Sequence, residues 1–155
     1  VTDKHELIAL AERVEALTGA DRNIDTEILW HVNRGSFSRG YWNAASGMPR
    51  PLEAMPQPNS GLGWIGAQCN APPYTASLDA AMKLVPEGWW WTTGNCSVSA
   101  DASMGPDVAH CPKEMLLAFD EGLHHDLPHP STPAISLTAL ALRARAAIIE
   151  WERQQ

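Results

Sequence analysis

Residues 72–91, PPYTASLDAAMKLVPEGWWW, constrain the fold of this chain more than any other stretch, because a helix start, a helix stop and a strand onset follow one another there. Tyr74 and Thr75 read as the entry to a helix whose apolar positions Leu78, Met82 and Val85 recur at helical spacing. Asp79 falls in its first turn, where the helix dipole favours a negative charge. Pro86 and Gly88 then end it, since proline lacks the amide and glycine adopts the conformations that close a helix. Three consecutive tryptophans follow and favour a strand, in which Trp89 and Trp91 share one face and Trp90 takes the other. Packing accounts for the pair, and Trp90 is a candidate pocket wall.

The chain of 155 residues is the size of one domain, so a single domain over 1–155 is expected. Nearly half of it is apolar, yet there is neither a long uncharged apolar run nor a signal-like start, so no membrane partner and a cytoplasmic protein are expected. A formal net charge of -7 argues against nucleic acid as a partner. Cys69, Cys96 and Cys111 are widely spaced and odd in number, which suggests reduced thiols rather than a disulfide framework or a zinc ribbon.

From the start, Asp3 and Glu6 have capping-box spacing, and Leu7, Leu10, Val14 and Leu17 form one apolar stripe of a helix ending near Gly19. Asp25 is placed to cap a second helix carrying Ile28, Leu29 and Val32. Over about 33–73 glycine, proline, serine and asparagine abound and no period persists, which reads as a long irregular loop. After the central helix, Gly94 and Asn95 fit a two-residue hairpin turn between strands at 89–93 and 96–100, with a third strand near 107–111. Residues 113–119 fit either a strand or a short helix, and the His- and Pro-rich segment 122–132 reads as a loop. Thr132 caps a final helix with Pro133 at its first position, where the missing amide costs nothing, running to about Trp151. Its apolar residues cover so much of the circumference that it should be largely buried. The expected fold class is therefore α+β, with a small antiparallel sheet of three or four strands layered between helices.

Three blocks, LIALAERVEALTGADRNIDTEI, YTASLDAAMKLVPEGW and TPAISLTALALRARA, together resemble the phage ABA sandwich domain family of small phage and prophage proteins. The resemblance covers both ends and the middle of the chain and implies a sheet layered between helices. It implies no chemistry.

Among motifs, GLGWIG has the glycine spacing of a dinucleotide loop, but no strand precedes it and no helix follows, so it reads as an ordinary Gly-rich loop. The Asn95-Cys96-Ser97 sequon carries no weight without a secretory signal. His124, His125, Asp126 and His129 offer metal-ligand types without a recognisable metalloenzyme spacing, so they read as a solvated loop, with no metal and no cofactor expected. No nucleophile elbow or paired-carboxylate motif stands out, and no catalytic residue is nominated.

The most informative pattern is a charge asymmetry. Between Glu27 and Asp79 the three arginines Arg34, Arg39 and Arg50 face a single acid, Glu53, inside an otherwise acidic chain. Trp30, Phe37, Tyr41, Trp42 and Trp64 are interleaved with them. Guanidinium groups hold phosphates bidentately while aromatic faces stack on bases, which nominates Arg34, Arg39, Tyr41, Trp42, Arg50, Trp64, Tyr74 and Trp90 as ligand-binding residues. The sequence thus suggests a non-catalytic accessory protein of the host cell cytoplasm. It would sequester a phosphorylated small molecule such as a cyclic nucleotide immune signal to counter host defence. The alternative is a structural phage protein whose loop forms a homo-oligomer or virion interface.

Overall fold

The computed structural model describes residues 3–32, 71–95, 99–128 and 131–155. Among them are five helices, α1 (Lys4–Glu15), α2 (Arg22–Val32), α3 (Leu78–Met82), α4 (Lys113–Ala118) and α5 (Pro133–Arg153), and three strands, β1 (Trp89–Asn95), β2 (Ala100–Pro106) and β3 (Leu123–Leu127). The fold is α+β with one small antiparallel sheet in the order β1-β2-β3, and the layout is helix, sheet, helix. No helix among the described residues is long and apolar enough to cross a membrane.

Local chemistry sets the helix starts. Asp3 and Glu6 form the full capping box of α1, and the α1 face carrying Leu7, Leu10, Ala11 and Val14 is buried. Thr132 caps α5 by accepting from the Ile135 amide at 3.2 Å, with Pro133 just inside. Ser77 caps α3, and Pro112 precedes α4 without a side-chain cap. The cap of α2 is Asp21, whose Oδ1 accepts from Asn23 and Ile24 amides, and not Asp25, which is fully buried one turn later.

α5 is the centre of the core. Ile135, Leu137, Leu140, Leu142 and the alanines between them are buried nearly all round, because α5 packs on α1, on α3 and across all three strands. Complete burial of a leucine or isoleucine contributes roughly 1.5–3 kcal/mol, so this helix carries a large share of the cohesion.

The sheet differs from the sequence expectation in three places. Gly94 and Asn95 do not turn; they pair with Asp101 and Ala100 inside the ladder, and the hairpin connection spans 96–99, of which 96–98 lie outside the described residues. Gly94 is needed for clearance, since a Cβ there would lie 2.6 Å from Asp101 Oδ1. Residues 107–110 form a turn instead of a strand, because the Asp107 carboxylate accepts from the Ala109 amide while its carbonyl accepts from His110 and Cys111. A strand, β3, occupies the segment read as a loop, pairing Ala100 with Leu127 and Met104 with Leu123. The ambiguous 113–119 segment is helical.

Within the central stretch, residues 74–76 form a turn and α3 is only five residues long. Its start at Ser77 rotates the apolar face onto Ala80, Ala81 and, just beyond the helix, Leu84, leaving Met82 exposed. The tryptophans alternate as the strand period requires. Trp89 is buried and Trp91 packs against the core on the face that carries Ala102 and Met104, while Trp90 lies on the outer face.

Candidate functional site

The three sequence blocks meet in a buried polar cluster. Asp25 Oδ1 accepts from both the amide and the hydroxyl of Thr75 at 2.9 Å, and its Oδ2 accepts from Arg22 Nη1 at 3.1 Å. Arg22 also donates to the Ala71 carbonyl, the Asp21 amide donates to Thr75 Oγ1, and Thr138 of α5 donates to the Tyr74 carbonyl. Burial pushes the Asp25 carboxyl above its ordinary value, opposed by Thr75 and Arg22. Both oxygens of Asp25 accept hydrogen bonds from the protein itself, and the cluster ties α2 to α5 through the Tyr74-Thr75 turn.

A different arrangement lies where the ends of α2 and α5 meet the start of β1. Leu7, His31, Val32, Pro86, Glu87, Trp89, Met115, Arg145, Ile148 and Ile149 line an open cleft of about 490 Å³. That volume is in the usual range for small-molecule sites, as is the mixture of apolar walls with few polar groups. Trp89 is held as one wall by donating from Nε1 to Met115 Sδ at 3.4 Å and by a tilted contact with Phe119, ring centroids 5.3 Å apart. The His31 imidazole is buried, with Nδ1 3.7 Å from a Glu6 carboxylate oxygen. Glu87 is exposed at the rim.

Arg145 is the distinctive group of this cleft. Its Nε donates to the Leu84 carbonyl at 2.7 Å, which fixes the guanidinium against the wall. Arg13, Arg22, Arg143 and Arg153 pair with Glu27, Asp25, Glu15 and Asp3, whereas Arg145 is the one arginine among the described residues with no carboxylate within ion-pair distance. Burial pushes its pKa below the ordinary value. The guanidinium remains charged at neutral pH, and among the described residues only its Nε has a hydrogen-bond partner. A partly desolvated cation with unused planar donors is an anion-recognition device.

The residues nominated from sequence fall elsewhere. Arg34, Arg39, Tyr41, Trp42, Arg50 and Trp64 lie outside the described residues, as do the Gly-rich loop and His129. Tyr74 is 3 % exposed and packs in the core, where burial pushes its hydroxyl up to about 12. Trp90 is 43 % exposed on the outer sheet face, its ring lying over Gly105 and Gly122. Near it Ser103 Oγ is 2.7 Å from His124 Nδ1, and His124 Nε2 is 3.4 Å from Asp126 Oδ2. This hydroxyl, imidazole and carboxylate row lies on the exposed outer face of the sheet. His125 points the other way, into the core, with Nε2 3.0 Å from the Ser136 carbonyl, so the adjacent histidines do not join.

Sequence reasoning did not nominate Arg145 or His31. The available signal was the RAR triplet inside an otherwise apolar final helix, since a cation placed in a buried stripe needs a partner. No family model, no curated protein and no solved structure matches the chain.

Proposed function

We propose that this chain is a non-catalytic binding protein for a small anionic molecule, held in the cleft by the Arg145 guanidinium. The observation that carries this is the contrast between Arg145 and the other described arginines, each of which has a carboxylate. In a chain of net charge -7, a half-buried cation with no carboxylate within ion-pair distance among the described residues has capacity to receive an anionic ligand. The phosphorylated ligand expected from Arg34, Arg39 and Arg50 belongs to the same class. The wider role that fits the three-block resemblance is a phage accessory protein that sequesters its ligand in the host cytoplasm. Mass spectrometry of small molecules released by heating the purified protein tests the binding role. An acidic compound should be recovered from the native chain and be lost from Arg145→Met. Equal recovery from both proteins would contradict the proposal.

A further inference from the structure

The proposed anion site also carries information about the rest of its ligand. The walls contributed by Leu7, Val32, Trp89, Met115, Ile148 and Ile149 are hydrocarbon or aromatic, so a ligand that fills the cleft beside Arg145 meets apolar side chains along part of its length. With Nε committed to the Leu84 carbonyl, Arg145 presents its terminal nitrogens, a planar edge matched by the two oxygens of one carboxylate.

Charge separates a carboxylate from a phosphate monoester. A monoester carries close to two negative charges at neutral pH. Among the described residues Arg145 is the only arginine or lysine lining the cleft, His31 faces Glu6, and the rim carries Glu87. Phosphate sites commonly use amides at a helix N-terminus, but α2 meets this cleft through His31 and Val32 at its C-terminal end, where the dipole is negative. Among the described residues a second negative charge would therefore meet no further cation, whereas a single one is matched by Arg145.

We infer that the cleft takes an amphiphilic monocarboxylate, its carboxylate on the Arg145 guanidinium and its apolar body between α1, β1 and the end of α5. This inference rests on the anion-binding role proposed above and narrows it to one head-group and one kind of body. The site also predicts a strong dependence on ligand length, because each methylene taken from water between these walls adds about fourfold in affinity.

Calorimetric titration with sodium decanoate, decyl phosphate and sodium acetate tests it, using the native chain and the Arg145→Met and Arg145→Lys variants, each verified as folded by circular dichroism. Decanoate should bind at one site per chain, decyl phosphate several-fold more weakly, and acetate at least about a hundredfold more weakly. Arg145→Met should weaken decanoate by about tenfold or more, and Arg145→Lys should recover only part of that loss because the planar fork is gone. Tighter binding of decyl phosphate than decanoate, with the same dependence on Arg145, would overturn the carboxylate inference and leave the anion site standing. Absence of binding by all three, or binding unaffected by Arg145→Met, would overturn both.

Discussion

Asp25 and Arg145 are both charged groups drawn out of water, and the chain surrounds them in opposite ways. Asp25 is fully buried and meets Thr75 twice and Arg22 once, so its desolvation is partly compensated inside the protein. Arg145 donates to one carbonyl and, among the described residues, has no carboxylate within ion-pair distance, while it lines a cleft with several apolar side chains. A saturated buried charge joins elements together. An unsaturated one retains energy that an incoming ligand of opposite charge releases.

That contrast fails at its first test if the Asp25 cluster is dispensable. Replacing Asp25 by alanine strands Arg22 and the Thr75 amide, and should destabilise the fold by about 3 kcal/mol in urea unfolding. Thr75→Val keeps the shape and removes only the hydroxyl that links Asp25 to the Asp21 amide, for an expected loss of about 1–2 kcal/mol by the same method. Either variant unfolding at the native midpoint would mean that the cluster does not hold α2 to α5.

Acid supplies a third handle, through His125, which packs on Ser136 of α5. Burial lowers its pKa from the ordinary 6.5, so below that pH the unfolded chain takes up a proton that the folded chain resists. Its contribution is therefore fully present above about pH 6.5 and is lost as pH falls toward the lower folded value, by at most about 1.4 kcal/mol per pH unit. Unfolding midpoints at pH 7.5, 6.5 and 5.5 for the native chain and His125→Asn should separate in this window, with the variant less pH-sensitive. The smallest effect on stability is expected at Arg145. Arg145→Met loses the bond to Leu84 but also removes an uncompensated buried charge, so the ligand-free unfolding free energy should change by no more than about 1 kcal/mol. A loss as large as that of Asp25→Ala would place Arg145 in the structural group and erase the distinction.

The sequence revealed features fixed by nearby residues and hid those assembled from distant ones. The Asp3 and Glu6 box and the Thr132-Pro133 start of α5 are legible because cap and helix are contiguous. β3 is not, because His125 occupies an inward position between Leu123 and Leu127, and only Ser136 on α5 makes an imidazole acceptable there. Asp25 looked like a cap for α2 because its buried partner, Thr75, is fifty positions away. The same distance effect concealed the cleft, whose lining comes from 7, 31, 32, 86, 87, 89, 115, 145, 148 and 149. Arg34, Arg39, Tyr41, Trp42, Arg50 and Trp64 lie outside the described residues. Of the two remaining nominees, Tyr74 belongs to the core and Trp90 to the outer sheet face.

The most direct test of the central claim observes the guanidinium itself. In protein labelled with nitrogen-15 at arginine, the Nε–H of Arg145, held by the Leu84 carbonyl, should give a resolved signal. Titration with an anionic amphiphile at constant ionic strength should move that signal saturably, while those of Arg13, Arg22, Arg143 and Arg153, already paired, stay in place. A static Arg145 signal, or equal shifts across these five described arginines, would contradict the account.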